Sequence, residues 1–296
     1  MTHSRAVLTM LAVTLMWSIA GVTTRHLQTA TGFELTFWRS LFNALALALM
    51  LGWLRGPAAL IATIGRGGRM LWMSAACWCV MFTAFMVALS LTTVANVLVT
   101  MALAPLMTAL LARAAIGHRL PMRTWLAIAV AGAGIAWMYG AELSGGDSRH
   151  LAGTLVALAV PIAAAINWTA IQHTARMRPE DAPDMLLPVL IGAVLSAVLV
   201  WPLSLPFAAS PRDLALLGML GVVQLAIPCL LSVRVARVLS APEVSLLGLL
   251  EVVFGVAWVW LGTDEAPSAA VLGGGGLVLA ALAANEAFAL RRRAAA

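Results

Sequence analysis

The sequence predicts an all-α integral membrane protein whose ten transmembrane helices form two inverted-topology five-helix repeats. Three observations support this fold class: the composition, the spacing of the apolar segments, and a weak similarity between the two halves of the chain. Of the 296 residues, 62% are hydrophobic and only 10% are charged, whereas a soluble domain has about 25% charged residues. Such a chain cannot cover its surface with polar groups in water, so the composition predicts a membrane protein.

Ten apolar segments have the length that a membrane helix requires, which is roughly 20 residues. The apolar stretch after Arg5 is interpreted as a retained span, because no small-residue cleavage site follows it. Glycine, proline and serine mark the joints, and residues 56–68, which contain Gly56-Pro57 and three further glycines, are predicted as one of them. The predicted spans cover about residues 6–24, 33–54, 70–91, 94–115, 124–141, 151–174, 185–206, 213–236, 241–262 and 268–290.

The distribution of arginine predicts the orientation. All 18 basic residues are arginines, and the cytoplasmic side of a membrane protein carries the excess of positive charge. With the N-terminus in the cytoplasm, 14 arginines fall on that side, three fall outside (Arg25, Arg149 and Arg212), and Arg39 lies within a span. Both termini are therefore expected in the cytoplasm, with the protein in a bacterial inner membrane. The dispersed arginines argue against nucleic-acid binding.

The two halves of the chain show weak self-similarity after a shift of 147 positions. Residues 93–111, TVANVLVTMALAPLMTALL, then align with residues 240–258, SAPEVSLLGLLEVVFGVAW. Because five is an odd number of spans, the second half crosses the membrane in the opposite sense, as in the inverted repeats of secondary transporters. The alternative is that two Leu- and Ala-rich segments align by composition alone. The predicted units are residues 1–143, residues 151–290, and a basic cytoplasmic tail at 291–296.

Four stretches resemble the EamA type of the drug/metabolite transporter superfamily. They are LMWSIAGVTTRHL (15–27), ELTFWRSLFNALALALML (34–51), ANVLVTMALAPLMTALLARAAIGHRL (95–120) and APEVSLLGLLEVVFGVAWVWLGTDEAPSAAVLGGGGLVL (241–279). The resemblance covers nearly the whole chain and implies a carrier of small metabolites, often an exporter. Within the family, the chain is similar to the YddG type of amino acid exporter. The family often has Glu-Pro where this chain has Glu251-Val252, so a proline-bent ninth span is in doubt.

Glu251 is the main candidate site residue, because it lies in the middle of an apolar span. Such an acid costs about 2.5–3.5 kcal/mol to insert, and ionisable groups at this depth are usually functional. It is expected to bind a substrate ammonium or to carry a proton, and the alternative is a packed, protonated carboxyl. Arg39 is expected to meet a substrate carboxylate, or else to extend its side chain toward the membrane surface.

Other polar and aromatic side chains, and one methionine, lie near the centres of their spans. Each has an alternative role in helix packing, and Asn167 and Gln224 are equally expected to bridge helices. Three prolines interrupt spans and are candidate hinges or static kinks. The candidate substrate-binding residues beside Glu251 and Arg39 are Trp17, Asn43, Trp78, Met101, Asn167, Trp168 and Gln224; the prolines are Pro105, Pro161 and Pro228. Spans five and ten carry Gly and Ala at their centres and are expected at the periphery, so that the other eight line a cavity.

These features predict a secondary transporter rather than an enzyme, a channel or a scaffold. No convergent set of catalytic groups, filter-like repeat or Walker loop is apparent, and a scaffold would leave Glu251 unexplained. No cofactor or metal is expected, since Cys77, Cys79 and Cys229 lie inside apolar segments. The expected activity is export of aromatic or neutral amino acids by alternating access around a midplane cavity; the alternative is another cargo such as nucleosides or drugs. The expected partners are a small-molecule substrate and the lipid bilayer, with proton coupling and a homo-oligomer left open.

Overall fold

The computed structural model describes residues 1–65, 67–104, 106–108, 110–111, 122–144, 148–175, 184–239, 241–264 and 266–294. All regular elements in these ranges are helical. They are α1 (His3–Arg25), α2 (Phe33–Arg55), α3 (Pro57–Gly65), α4 (Arg69–Leu91), α5 (Val94–Met101), α6 (Met122–Ser144), α7 (Ser148–Ala175), α8 (Leu187–Val200), α9 (Pro211–Val235), α10 (Ala241–Gly262) and α11 (Ala269–Ala294).

Five of these helices are long and apolar enough to cross a membrane, namely α1, α2, α4, α7 and α9. Five shorter apolar helical stretches are also found among the described residues: two begin with α5 and α8 and run beyond them, and three lie within α6, α10 and α11. Large hydrophobic side chains face outward, such as Trp53 at 88% and Leu261 at 82% exposure, whereas Arg39 and Asn43 are buried. Apolar outside and polar inside is the arrangement expected of a protein whose solvent is hydrocarbon.

Two elements differ from the sequence prediction. Residues 56–68, predicted as a joint, contain the nine-residue helix α3. Its first residue is Pro57, and proline is favourable at this position because the first helical N–H has no intrahelical acceptor. The predicted seventh span is shorter than expected: α8 ends at Val200, and residues 201–203 form a 3₁₀ turn that contains Pro202. Proline lacks the N–H that continues an α-helix.

Long helices that follow one another in the chain cross the bundle in opposite directions, whereas α1 and α10 run side by side in the same direction, with Gly21 next to Val259. We call the end of the bundle where α1 begins the N-terminal end and the other the opposite end. At the opposite end, Arg25 donates to the carbonyls of Leu89 (2.9 Å) and Thr92 (3.0 Å), and Arg149 donates to that of Ser90 (2.9 Å). Both arginines therefore lie at the C-terminus of α4, where unpaired carbonyls and the helix dipole favour cations. The start of α7 thus meets the ends of α1 and α4.

Two buried carboxylates join loops at the opposite end of the bundle. Asp213, in the first turn of α9, accepts hydrogen bonds from the backbone N–H groups of residues 28, 29 and 30 at 2.8–2.9 Å and from the Thr29 hydroxyl at 2.8 Å. Glu34, in the first turn of α2, accepts from the N–H groups of Ala208 (2.9 Å) and Ala209 (2.8 Å). At the N-terminal end, Arg55 forms an ion pair with Asp184.

Candidate functional site

A cavity of about 180 Å³ lies between seven helices of the bundle. Helices α1, α2, α4, α7, α9 and α10 line it together with α5 and the residues that follow α5. The described residues that form its wall are Met10, Trp17, Arg39, Trp78, Met81, Phe82, Phe85, Leu98, Met101, Ala102, Ala104, Thr108, Val160, Pro161, Ala164, Trp168, Gln224, Leu225, Cys229, Ala236, Val244, Gly248, Glu251 and Val252. Its volume is close to that of an apolar protein cavity that holds benzene, about 150 Å³.

The cavity extends to the N-terminal end of the bundle but not to the opposite end. Its wall includes Ala236, directly after α9, and Val244 in the first turn of α10, and both positions lie at the N-terminal end. Toward the opposite end it stops near Leu98, beyond which Ala20, Leu89 and Val94 pack together with at most 1% exposure. This packed layer separates the cavity from the loops that Asp213 and Glu34 join.

Helices α6 and α11 contribute no described residue to the wall and pack against each other. A Cβ on Gly134 of α6 would lie 2.6 Å from the carbonyl oxygen of Gly274 on α11, so the two backbones are in close contact. The expectation that eight spans line the cavity is not met by α8, from which no described residue lies in the wall. Ser196 of α8 instead contacts the hydroxyls of Ser40 (2.9 Å) and Thr83 (2.8 Å), because α8 packs on α2 and α4.

Arg39 is the cationic residue of the cavity wall. Its side chain is 1% exposed, and its Nε and Nη1 atoms have no hydrogen-bond partner among the described residues. The guanidinium carbon lies 5.2 Å from the centroid of the Phe85 ring, within the range of a cation–π interaction. A buried guanidinium with free donors can accommodate an anion, because an unpaired buried charge is strongly unfavourable. The alternative that Arg39 reaches the membrane surface does not fit its burial.

Glu251 lies in the same cavity wall as Arg39. No ion pair within 4 Å joins the two side chains; in the described part of the chain, Arg55–Asp184 is the ion pair observed. Helix α10 continues through Glu251 without interruption from Ala241 to Gly262, as expected with Val252 in place of proline. A guanidinium and a carboxyl group therefore line one space without direct contact between them.

Aromatic rings form much of the apolar wall. The rings of Trp78 and Trp168 meet edge to face, with centroids 6.0 Å apart and planes at 80°, and Phe82 lies 5.4 Å from Trp78. Such pairs add stability beyond the area they bury. The Trp78 indole N–H is buried without a partner among the described residues. Trp17 also lines the cavity.

Gln224 both bridges helices and faces the cavity. Its Nε2 atom donates to the backbone carbonyl of Trp17 at 3.3 Å, and its Oε1 atom has no partner among the described residues. It lies in a π-helical segment of α9, Leu220–Ala226, between two α-helical parts. Pro228 lacks the N–H that the Gln224 carbonyl would accept in an α-helix, and π segments are frequent at functional sites.

The structure brings most of the predicted site residues together and leaves a few apart. Met101 and Pro161 lie in the wall with the residues above, whereas Asn43, Asn167 and Pro228 do not. Asn167 accepts a hydrogen bond from the Ser74 hydroxyl at 2.6 Å, which links α7 to α4. Asn43 is fully buried in α2. The predicted hinge Pro105 lies outside the described residues.

Several wall residues escaped the sequence prediction because they are ordinary apolar residues in apolar helices. Phe82 and Phe85 follow Trp78 on one face of α4, and Val244 and Gly248 precede Glu251 on one face of α10. The sequence signal available for these positions was their spacing: residues three, four or seven positions from Trp78 or Glu251 lie on the same face of the helix. Cys229 lines the cavity as well, and the described residues contain no cluster of three His, Cys, Asp or Glu side chains that could hold a metal ion.

The described residues form a bundle of apolar helices around a charged, aromatic-walled cavity, as in a multi-pass membrane protein. Residues 4–140 match the model of the EamA-like transporter family. The match confirms the resemblance to this family that the motifs of the first half show.

The fold is similar to that of a solved protein over the full length of both chains. That crystal structure shares 21% sequence identity with this chain and superposes with a TM-score of 0.63. At this level of identity the likeness concerns the fold alone. No curated protein matches the sequence.

Proposed function

We propose that the protein is a secondary transporter that exports aromatic and other neutral amino acids across a bacterial inner membrane by alternating access around the cavity. The observation that carries this proposal is the presence of Arg39 and Glu251 in the wall of one cavity. An amino acid has a carboxylate and an ammonium group on one carbon atom, so it offers each of these residues its opposite charge. Guanidinium groups bind carboxylates through paired hydrogen bonds, and Arg39 has two unpaired nitrogen atoms.

The apolar part of the wall supports a cargo with an aromatic or aliphatic side chain. Trp78, Trp168 and Phe82 supply ring faces and edges, and such surfaces also attract an ammonium group. A phosphorylated cargo would require several cations, whereas Arg39 is the one cation among the described wall residues. This composition supports a zwitterion over a nucleotide sugar.

The packing of the helices supports the two-repeat arrangement, with units at residues 1–143 and 151–290. The proposed repeat pairs α1 with α7, α2 with α8, α4 with α9, α5 with α10 and α6 with α11. If each helix is replaced by its repeat partner, the pair α4–α7 becomes α9–α1. In the same way, the pair α4–α8 becomes α9–α2. The contact of α1 with α10 likewise becomes that of α7 with α5, and all six contacts are present. The pairs α2–α8, α5–α10 and α6–α11 map onto themselves and are also in contact.

Alternating access follows from this symmetry, because exchanging the conformations of the two halves moves the opening to the other end. With both termini in the cytoplasm, as we propose, the end of the cavity near Ala236 and Val244 would face inward and collect cargo for export. Glu251 would couple transport to protons if the cargo ammonium and a proton compete for it. A homo-oligomer would use the outer faces of α6 and α11, away from the cavity.

Counterflow in proteoliposomes tests the proposal. Wild-type protein is expected to exchange labelled L-phenylalanine at pH 6 and pH 8, and to exchange nucleosides and sugars poorly. Glu251→Gln keeps the size of the side chain but removes its charge, so exchange is expected to fall at least about tenfold, the loss that follows from about 1.4 kcal/mol of binding energy. Asp264→Asn, at an exposed position, is the matched control. Native exchange by Glu251→Gln would contradict the role of the carboxylate.

The role of Arg39 is tested in the same vesicles with a cargo that lacks the carboxylate. In wild type, phenethylamine is expected to compete with L-phenylalanine far more weakly than unlabelled L-phenylalanine does. In Arg39→Ala the two compounds should compete almost equally, because the guanidinium that binds the carboxylate is absent. An equal preference for the carboxylate in both proteins would separate Arg39 from cargo recognition.

A further inference from the structure

Gly248 leaves an unfilled space in the cavity wall, one helical turn from Glu251. The two residues share the cavity-lining face of α10 with Val244 and Val252. No atom of the described residues lies within 4 Å of the position that a Cβ on Gly248 would occupy. By contrast, a Cβ on Gly255 of the same helix would lie 2.5 Å from the Leu98 side chain, so a larger residue there would force Leu98 to move. Glycine is a weak helix former, and neither helix stability nor helix contact accounts for Gly248.

The position of Gly248 along the bundle relates it to the charged pair. At 1.5 Å per residue, Gly248 lies about 10 Å and Glu251 about 15 Å from the start of α10. By the same measure Arg39 lies about 24 Å from Arg55, the C-terminal residue of α2, which lies at the N-terminal end of the bundle. Both charged residues therefore lie on one side of Gly248, toward the opposite end of the bundle.

Trp168 lies at the depth of Gly248, about 10 Å from the end of α7 by the same rise per residue. Its ring contacts that of Trp78 edge to face. A cargo whose charged groups bind Arg39 and Glu251 would thus extend its side chain toward the N-terminal end. The cargo side chain would enter the space between Gly248, which has no side chain, and the rings of Trp78 and Trp168.

We propose that Gly248 determines the size of the cargo side chain, and that the space beside it accepts a large, flat, apolar group. This inference rests on the proposed function and deepens it. A side chain added at Gly248 projects into the cavity instead of into a neighbouring helix. It therefore excludes large cargo while leaving the charged groups at Arg39 and Glu251 accessible.

The test is a graded series, Gly248→Ala, Gly248→Val and Gly248→Leu, in counterflow with L-phenylalanine and L-alanine. The ratio of L-phenylalanine to L-alanine exchange is expected to fall stepwise, reaching about tenfold in Gly248→Leu, as pockets discriminate by size. The same substitutions at Gly276 of α11 are the matched control, because no described atom lies within 4 Å of a Cβ there either and Gly276 is outside the described cavity wall. An unchanged ratio, or an equal fall for both cargoes, would overturn the proposal.

A second measurement separates this inference from the proposed function. Wild type that exchanges neither amino acid contradicts the proposed function, and the geometry at Gly248 is then tested on the thiol of Cys229 in the same cavity wall. In a background of Cys77→Ala and Cys79→Ala, a maleimide should modify Cys229 several-fold more slowly in Gly248→Leu than with glycine present, and Gly276→Leu should have no effect. Equal labelling rates in all three proteins would show that Gly248 does not border the space.

Discussion

Asp213 shows how a single charged side chain can serve structure instead of cargo binding in this protein. It is fully buried, yet its two oxygens accept hydrogen bonds from three successive backbone N–H groups and from the Thr29 hydroxyl. A carboxylate with this many donors is well satisfied, since ionised acceptors form the stronger hydrogen bonds. Arg39, with unpaired nitrogen atoms beside a cavity, is the opposite case. The difference in partners separates a structural charge from a candidate binding charge.

Replacing Asp213 by asparagine is expected to destabilise the protein. The amide offers one acceptor oxygen where the carboxylate offers two, and its NH₂ group would face backbone N–H donors. A buried donor left without a partner costs about 1–3 kcal/mol, so the Tm of Asp213→Asn in detergent should fall by several degrees. Asp264→Asn, at an exposed position, should leave Tm unchanged. Equal Tm values for both variants would mean that the loop at residues 28–30 does not depend on this carboxylate.

At the scale of the element, α9 departs most from a regular helix. Its π-helical segment, Leu220–Ala226, lies where α9 crosses α2. Within it, Gly221 packs against the backbone of α2: a Cβ there would lie 2.6 Å from the Cβ of Phe42 and 2.8 Å from the Arg39 carbonyl oxygen. The segment that presents Gln224 to the cavity therefore also supports the part of α2 that carries Arg39.

Gly221→Ala is expected to force α2 and α9 apart, because the added methyl group meets backbone atoms that cannot rotate away. Overpacking of this kind costs about 1–3 kcal/mol, and Tm should fall accordingly. Gly218→Ala, one turn earlier in α9, is the control, since its Cβ would lie at an ordinary 3.8 Å from the Phe42 ring. Thermal unfolding of the two variants in parallel makes the comparison; a Tm for Gly221→Ala as high as that of Gly218→Ala would contradict this account of the crossing.

At the scale of the whole molecule, the loops at the opposite end connect the two proposed repeats. The α1–α2 loop meets the start of α9, where the Ser210 N–H donates to the Thr29 hydroxyl at 2.9 Å. Glu34 joins α2 to residues 208 and 209. The packed layer between these loops and the cavity closes this end. The proposed alternating access requires these contacts to separate, so that the cavity can open at this end.

A disulfide between Thr29→Cys and Ser210→Cys should therefore stop transport. The contact between these residues places their backbones close together, which a disulfide requires. Oxidised double variant is expected to lose exchange in proteoliposomes and to recover it with a reducing agent. Each single cysteine variant controls for the substitutions themselves. Undiminished exchange by protein shown to carry the disulfide would mean that this end does not open during transport.

Much of the architecture could be predicted from local sequence because hydrocarbon imposes strict requirements on composition and length. The predicted limits of the second and ninth spans, 33–54 and 241–262, agree with α2 and α10 within one residue. Helix α3 was missed because its flanking glycines and proline mark a joint whether or not a short helix lies between them. The π segment of α9 gave no sequence signal, because its pattern of apolar residues is that of any membrane helix.

The sequence by itself determined that the chain is a helical membrane protein with Glu251 and Arg39 away from the ends of their spans, because charges are rare and conspicuous in an apolar background. Only the tertiary structure decided that Glu251 and Arg39 face the same cavity, that Asn167 bridges α7 to α4, and that Gly248 borders a space. When a helix is apolar on every side, its sequence does not reveal which side faces lipid, a neighbour or a cavity. That assignment depends on the rotation of each helix against the others, which is set by contacts between residues far apart in the chain.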